Sequence, residues 1–266
     1  MEFPAKSSNC NMNQVEQHLR QKLAERANSG NLRQLSLNSA PVDFYSNDYL
    51  GIATLGLQHD ATGTSGVKVK SGSTGARLLS GNSAEAEALE KTIAAFHRAE
   101  SALLFNSGYD ANTGLIASIT GRHTTILYDE LCHASILDGI RLSQSSKRYK
   151  FRHNNIEDLA SKLKKFQSGT IIVIVESVYS MDGDTAPLRE AALLCEAYNA
   201  QLIVDEAHAT GVFGARGEGL VSALGLEDRV FARVHTFGKA LGCHGAAVVG
   251  SDLLKQYLIN FARSFI

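Results

Sequence analysis

A single lysine, Lys239, stands in the stretch VHTFGKALGC (residues 234–243), among glycines and small apolar residues. A buried lysine loses the hydration of its ammonium group, and this desolvation lowers the pKa of the amine. The neutral amine is the nucleophile that forms a Schiff base with a carbonyl cofactor. The surroundings of Lys239 therefore predict covalent chemistry on a carbonyl group rather than a solvated surface charge.

Pyridoxal phosphate is such a cofactor, and its ring needs two kinds of protein partner. A carboxylate must keep the pyridine nitrogen protonated, and Asp205 ends the apolar run QLIVD. His208, from the same strand end, is placed to reach the ring hydroxyl. His133 ends another apolar stretch and is a candidate to stack on the ring face, although it is equally consistent with a helix cap.

The phosphate of the cofactor needs hydrogen-bond donors. The segment NSGYDANTG (residues 106–114) contains a glycine turn that leads into a helix, and the free N–H groups of a helix N-terminus favour an anion. Ser180 and Thr236 add hydroxyl groups. Read alone, such hydroxyls are more often turn residues that bond their own backbone.

Two other kinds of chemistry fit the same residues less well. The sequence DEAH at residues 205–208 suggests a nucleotide-driven helicase, but the phosphate-binding loop G-x-x-x-x-G-K-[ST] is absent, because Arg233 and Ala240 stand at two of its required positions. A metal site of Asp205, His208 and His133 is the second alternative. It leaves Lys239 without a role, so we predict no metal.

Composition narrows the class of protein further. The chain has 266 residues, 44% of them hydrophobic, and a net charge of −1, which gives no electrostatic reason to expect nucleic acid or a membrane surface as a partner. Its four cysteines are far apart and form no disulfide framework. These features predict a cytoplasmic α/β protein.

Apolar strands alternate with helical patterns from about residue 83 onwards, which predicts an α/β fold with a mostly parallel central sheet and helices on both faces. Ligands bind beyond the carboxyl ends of the strands in such sheets, where the polar residues named above are concentrated. The pattern also predicts a helix over 12–28, a short strand that ends in a polar turn over 42–51, and a helix over 83–100 capped by Ser83.

Seven short motifs, in order along the chain, resemble those of the α-oxoamine synthases. This family depends on pyridoxal phosphate and belongs to the fold-type I aminotransferase superfamily, so the resemblance implies the large domain of that fold. The motifs are SNDYLG (46–51), GSTGARLLSGN (72–82), FNSGYDANTG (105–114), HASILDG (133–139), ESVYSMDGD (176–184), VDEAHATGVFG (204–214) and TFGKALG (236–242).

The resemblance implies a role for each candidate residue. Lys239 carries the Schiff base, Asp205 pairs with the pyridine nitrogen, and His208 bonds the phenolate oxygen. His133 stacks on the ring and orients the substrate. The resemblance also implies contacts with the cofactor by Gly108, Tyr109, Ser180 and Thr236. It implies contacts with the substrate by Arg33, Asn47 and Glu176.

The resemblance also implies an activity. The motif RLLSGN (77–82) and the short N-terminal arm are most similar to the branch that makes 8-amino-7-oxononanoate for biotin biosynthesis. The expected reaction is a decarboxylative condensation of L-alanine with a pimeloyl thioester of CoA or a carrier protein, in a homodimer. Two alternatives stay open: another α-oxoamine synthase, of the 2-amino-3-ketobutyrate CoA ligase or serine palmitoyltransferase type, and a non-catalytic homologue.

We predict three segments: an N-terminal helical arm at 1–45, a cofactor-binding large domain at 46–251, and the start of a helix at 252–266. The resemblance implies that this helix leads into a smaller C-terminal domain, which we expect to lie beyond Ile266. The closing helix is expected to expose an apolar stripe that a later segment would cover. The stripe consists of Leu254, Leu258, Phe261, Phe265 and Ile266.

Overall fold

The computed structural model describes residues 14–35, 43, 46–56, 73, 75–166 and 169–265. The chain divides into two compact units, 1–44 and 45–266. The described part of the first unit consists of helix α1 (Gln14–Asn28) and the residues that follow it, in agreement with the helix predicted over 12–28.

The second unit alternates helices and strands, as the sequence predicted. Its helices are α2 (Ile52–Leu55), α3 (Ala84–Phe96), α4 (Gly108–Ile119), α5 (Ala134–Leu142), α6 (Ile156–Lys165), α7 (Leu188–Ala197), α8 (Leu220–Ala223) and α9 (Asp252–Phe261). Its strands are β1 (Ser101–Phe105), β2 (Thr125–Asp129), β3 (Lys147–Phe151), β4 (Ile171–Glu176), β5 (Ala200–Asp205), β6 (Ala232–Thr236) and β7 (Ala246–Gly250). A short π-helical turn spans Arg77–Gly81, and a 3₁₀ turn spans Glu227–Arg229.

The seven strands form one sheet in the order β1-β7-β6-β5-β4-β2-β3. Strand β7 runs antiparallel to both of its neighbours, and all other pairs are parallel. The predicted mostly parallel sheet is thus confirmed. Its parallel strands end at a common edge, to which β5 brings Asp205, β4 brings Glu176 and β6 brings Thr236.

Two hydrophobic cores cover the two faces of the sheet. Strand β4 contributes to both, because successive side chains of a strand point to opposite faces. Ile172 and Ile174 pack in the core that contains residues of α4, α5 and α9. Ile171 and Val173 pack in the core that contains residues of α6, α7 and α8. Burial on both faces explains why this strand is uniformly apolar in sequence.

Ser83 caps α3 as predicted. Its side chain accepts a hydrogen bond from the backbone N–H of Ala86 at 3.1 Å, which satisfies one of the unpaired donors of the first helical turn. Acidic residues Glu85 and Glu87 lie in that turn, where the helix dipole stabilises them.

The short strand predicted at the start of 42–51 lies almost entirely outside the described residues. The polar turn predicted to end it is confirmed: the backbone N–H of Gly51 donates to the carbonyl of Asp48 at 2.9 Å, and the chain then enters α2. Gly51 adopts a left-handed conformation with φ of 68°, which breaks a strand. The carboxylate of Asp48 accepts hydrogen bonds from the backbone N–H groups of Ala53 and Thr54, at 3.2 and 2.9 Å. Asp48 therefore initiates α2 directly after the turn.

The prediction that α9 exposes its whole apolar stripe is wrong. Leu254 and Leu258 are buried in the core shared with α4 and α5, and Phe265 packs against that core. Phe261 is exposed, as expected, and Ile266 lies outside the described residues. Leu254, Leu258 and Phe265 thus face the core rather than solvent, so this part of the amphipathic pattern reflects packing within the unit.

Within the described part of the chain, we find no helix of the length and apolar character that a membrane span requires.

Candidate active site

Lys239 lies after β6 in a tight turn and its side chain is half-buried. Its Nζ is 2.6 Å from Nε2 of His208, and Nδ1 of His208 is 2.8 Å from the hydroxyl of Tyr49. The Tyr49 hydroxyl donates to Oδ1 of Asn47 at 2.9 Å. Because the tyrosine proton goes to Asn47, a consistent chain has Lys239 donating to Nε2 and Nδ1–H of His208 donating to Tyr49.

Burial sets the charges of this chain. Desolvation lowers the pKa of Lys239, and the nearby carboxylates of Asp205 and Glu176 offset only part of that shift. Burial, followed by the charges of Lys239 and His133, lowers the pKa of His208 to about 4. His208 is therefore neutral at physiological pH, as the hydrogen-bond chain requires, and Lys239 is a better nucleophile than a surface lysine.

Asp205 ends β5 and is held by donors from two elements. Its Oδ2 accepts from Nδ2 of Asn112 at 2.6 Å, and its Oδ1 accepts from the backbone N–H of Ala207 at 2.9 Å. Asn112 also donates to Ser135 at 3.0 Å, and the Ser135 hydroxyl is 2.8 Å from Nδ1 of His133. This second chain connects the carboxylate to His133 across α4 and α5.

His133 is the N-cap of α5, because its Nδ1 accepts from the backbone N–H of Ser135 at 3.2 Å. Its backbone N–H donates to Oε1 of Glu176 at 2.5 Å. Its ring is exposed, so a face remains accessible to a ligand. The cap that the sequence left as an alternative is present, and stacking on a cofactor ring stays a prediction.

Glu176 ends β4 beside Asp205, and the two residues are partners in the strand register. Burial, followed by repulsion from Asp205, raises the pKa of Glu176 to about 8. Two carboxyl groups in a buried site do not both ionise easily, so Glu176 carries a proton at neutral pH and can donate a hydrogen bond.

Gly108 begins α4, whose N-cap is Ser107, and faces Thr236 at the end of β6. A Cβ built on Gly108 would lie 3.5 Å from the Thr236 side chain, so these two predicted phosphate ligands are neighbours. The side chain of Tyr109 is exposed and donates to Asp138, which leaves its backbone N–H as the group at the helix N-terminus.

Two predicted site residues are not brought into these chains. Ser180 is exposed in the turn after Tyr179, and Arg33 belongs to the N-terminal unit. Their roles stay predictions. Across the described ranges, no group of three or more histidine, cysteine or acidic residues is arranged to hold a metal ion. The alternative set of Asp205, His208 and His133 is therefore not arranged as a metal site.

Sequence reasoning missed Asn112, Ser135 and Tyr49. Asn112 is four residues after Gly108, so one turn of helix places it on the same side as the helix start. Each of the three lies within a stretch that carried the family resemblance, or within two residues of a candidate. That proximity could have marked these residues as candidates, but it could not have identified their partners. Asp205 lies 93 residues from Asn112 in sequence, and His208 lies 159 residues from Tyr49.

Comparison with known proteins supplies independent findings. The family model described as aminotransferase class I and II matches residues 40–266. The chain is 48% identical over 266 residues to an 8-amino-7-oxononanoate synthase of Emericella nidulans, covering 93% of this chain and 65% of that protein. It is 44% identical over 227 residues to the enzyme of the same name from Anaeromyxobacter sp. (strain K), covering 85% and 57%. The chain thus spans less than two thirds of these relatives.

Solved structures agree. An 8-amino-7-oxononanoate synthase from Francisella tularensis superposes with a TM-score of 0.70 at 31% identity, over 86% of this chain and 64% of that one. A structure described as SPT with its PLP internal aldimine superposes with a TM-score of 0.80 at 28% identity, over 96% and 68%. The architecture is that of the fold-type I enzymes that depend on pyridoxal phosphate.

Proposed function

Since this chain belongs to the aminotransferase class I and II family, we propose that it is the large domain of an 8-amino-7-oxononanoate synthase, in which Lys239 holds the pyridoxal phosphate. The main support for the proposal is the contact between Lys239 and His208. It lies at the edge of the sheet where Asp205 ends β5 and where α4 begins. The relatives' names supply the reaction.

The residues present fit the cofactor. A half-buried amine of lowered pKa suits covalent attachment of an aldehyde. The carboxylate of Asp205 is fixed by Asn112, so it can face a pyridinium nitrogen without rotating away. Gly108 and Thr236 lie together at a helix start, where N–H groups and a hydroxyl favour a phosphate.

When bound, pyridoxal phosphate accepts the electron pair that remains on the α-carbon of an amino acid after a bond to that carbon is broken. Lys239 would remove the α-proton, because its lowered pKa leaves more of the amine neutral. Asp205 would keep the ring nitrogen protonated. His133 would contact the ring with its exposed face, while its backbone stays fixed on Glu176.

The substrates and the assembly are part of the same proposal. The amino acid is L-alanine and the acyl donor is pimeloyl-CoA or a pimeloyl carrier protein, with Arg33, Asn47 and Glu176 as substrate contacts. Tyr109 and Ser180 contribute to cofactor binding. We propose a cytoplasmic homodimer, because the family resemblance implies subunits that share their sites.

The test is a matrix of amino acids and acyl thioesters, assayed for thiol release and carbon dioxide. We expect L-alanine with pimeloyl thioester to be turned over faster than glycine with acetyl-CoA or serine with palmitoyl-CoA. Lys239→Ala should reduce the rate by at least about 10³-fold, whereas Lys91→Ala, on the exposed face of α3, should not. Preference for serine and palmitoyl-CoA would replace the assignment with the serine palmitoyltransferase alternative.

The assay uses the protein expressed from its native gene, since the matched part of this chain spans 65% and 57% of these two relatives. Binding of pyridoxal phosphate without turnover of any pair would favour the non-catalytic homologue. Absence of binding would contradict the proposal entirely.

A further inference from the structure

A second group of polar side chains lies at the same edge of the sheet, on the far side of Glu176 from Asp205. We call it the His153 cluster: Asp129 at the end of β2, His153 and Asn154 after β3, and Asp184 in the loop after β4. None of these residues has a part in the chemistry proposed above. Their contacts nevertheless reach two loops that carry predicted cofactor ligands.

His153 lies between two carboxylates. Its Nδ1 is 2.9 Å from Oδ1 of Asp129, and its Nε2 is 2.8 Å from Oδ2 of Asp184. An ionised carboxylate only accepts hydrogen bonds, and a neutral imidazole has a single N–H. With both carboxylates ionised, the two bonds are made at once only when both ring nitrogens are protonated, so the geometry favours an imidazolium.

The surroundings of His153 are consistent with that charge. Burial alone would lower its pKa, but the hydrogen bonds to Asp129 and then to Asp184 outweigh burial, and the net pKa is raised. The other groups that face it add no positive charge. They are the carboxylate of Glu130, which accepts from the His153 backbone N–H at 3.2 Å, the ring of Tyr179 with its centroid 4.5 Å away, and the amide of Asn154.

Asp129 connects this cluster to His133. Its Oδ1 accepts from the backbone N–H of Leu131 at 2.9 Å, and its backbone carbonyl accepts from Cys132 at 3.1 Å. These bonds fix the turn that immediately precedes His133. Asp129 is fully buried, so loss of its hydrogen bonds would leave an unpaired charge in the interior, which is energetically costly.

Asp184 connects the cluster to the second loop. Its carboxylate accepts from Asn154 at 2.6 Å as well as from His153. Its backbone carbonyl accepts from the N–H of Tyr179 at 3.0 Å, and Ser180 is the next residue. The loop of residues 177–186 thus closes on itself at Asp184 and is held to the end of β3 through His153.

We propose that His153 is a positioning residue, whose imidazolium ties the turn that carries His133 to the loop that carries Ser180 and so holds both in place for the cofactor. The effect on the cofactor rests on the proposed function, whereas the charge on His153 does not. Because the pKa is raised, the bridge is complete below the unfolded value of about 6.5 and is lost as the pH rises through the folded value.

The charge is tested by nitrogen NMR of the full-length protein with ¹⁵N-labelled histidine and bound pyridoxal phosphate, assigned with His153→Gln. Both ring nitrogens of His153 should be protonated at pH 7. Asp184→Asn should lower the pH at which His153 titrates, because one anionic acceptor is removed. Asp182→Asn is the matched control, since it removes the same charge from an exposed site in the same loop and should leave the titration unchanged.

The positioning role is tested by the rate at which pyridoxal phosphate dissociates. Asp184→Asn removes one charge-assisted hydrogen bond and should raise this rate about tenfold, whereas His153→Gln removes two and should raise it by at least as much. Asp182→Asn should leave the rate unchanged. In the wild type the rate should rise with pH along the His153 titration. A neutral His153 at pH 7, or variants that titrate as expected but release cofactor at the wild-type rate, would overturn the inference.

The two possible failures are distinguishable. If the wild-type protein does not attach pyridoxal phosphate, the proposed function fails, and the NMR experiment still decides the charge of His153. Asp184→Asn keeps the inference testable if His153→Gln does not fold, because Asp184 lies at the surface of the cluster and asparagine retains its shape.

Discussion

His208 and His153 occupy the same edge of one sheet, yet their neighbours push the two imidazoles in opposite directions. His208 is buried beside the amine of Lys239, and its pKa falls to about 4. His153 is half-buried between Asp129 and Asp184, and its pKa rises. The first histidine is neutral and lies against the reactive amine, and the second is charged and connects two loops.

The difference shows what determines the role of a histidine here. His208 is buried and His153 is half-buried, so burial favours the neutral form of both rings. The charge of the adjacent group decides whether this preference for the neutral form is reinforced, as by Lys239, or reversed, as by Asp129 and Asp184. A neutral ring beside Lys239 leaves the amine free to react, whereas a charged ring between two carboxylates stabilises the loops around the site.

Among substitutions that leave Lys239 in place, the largest effect should come from the carboxylate on the His208 side. Asp205→Asn removes the anion that would stabilise a protonated pyridine, since an amide cannot hold that proton. We expect exchange of the α-proton of alanine to slow by about 10²–10³-fold, with cofactor still bound. Asp228→Asn, an exposed carboxylate elsewhere, is the control. Exchange at the wild-type rate in Asp205→Asn would remove Asp205 from the chemistry.

The pH dependence of stability should separate the two histidines. The folded pKa of His208 lies below its unfolded value, so its contribution is present above pH 6.5 and is lost as the pH falls through about 4. In urea titrations of the cofactor-free protein, the free energy of unfolding should fall between pH 6.5 and about 4, and the fall should be up to about 3 kcal/mol larger for the wild type than for His208→Gln. Parallel curves for the two proteins would show that His208 is not perturbed.

Asn112 supports the buried carboxylate of Asp205, so its removal should destabilise the fold. Asn112→Ala leaves Asp205 without its side-chain donor, which we expect to lower the free energy of unfolding by about 1–3 kcal/mol. The matched control is Asn260→Ala on the exposed face of α9, for which a change within about 0.5 kcal/mol is expected. Equal effects of the two changes would contradict the structural role of Asn112.

The smallest effect concerns Tyr49, which links His208 to Asn47. Tyr49→Phe removes both hydrogen bonds from a part-buried hydroxyl and should cost about 0.5–1.5 kcal/mol. A double-mutant cycle with His208→Gln measures whether the contact is made. Strict additivity of the two changes would show that Tyr49 and His208 do not interact.

Much of this arrangement follows from the sequence because parallel strands end at one edge. The apolar runs that end at Asp205 and Glu176 predicted both the strands and the place where their polar residues meet. Lys239 was identifiable from its small neighbours alone. The family resemblance then assigned roles that spacing could not.

The remaining features depend on contacts between distant segments. Nothing in the local pattern shows that Asn112 donates to Asp205, or that the histidine after β3 is held between carboxylates from two other loops. The stripe of α9 illustrates the same limit. An amphipathic pattern shows that one face is apolar, but not which surface covers it, and here Leu254 and Leu258 pack on the core of the unit itself.

We propose that Lys239 is the residue that holds pyridoxal phosphate. Reduction of the cofactor-loaded protein with borohydride, followed by proteolysis and mass spectrometry, tests it directly. We predict one stoichiometric phosphopyridoxyl label, on the peptide that contains Lys239, and no label there in Lys239→Ala. A label on any other lysine in the wild-type protein, such as Lys68 or Lys70, would contradict the account.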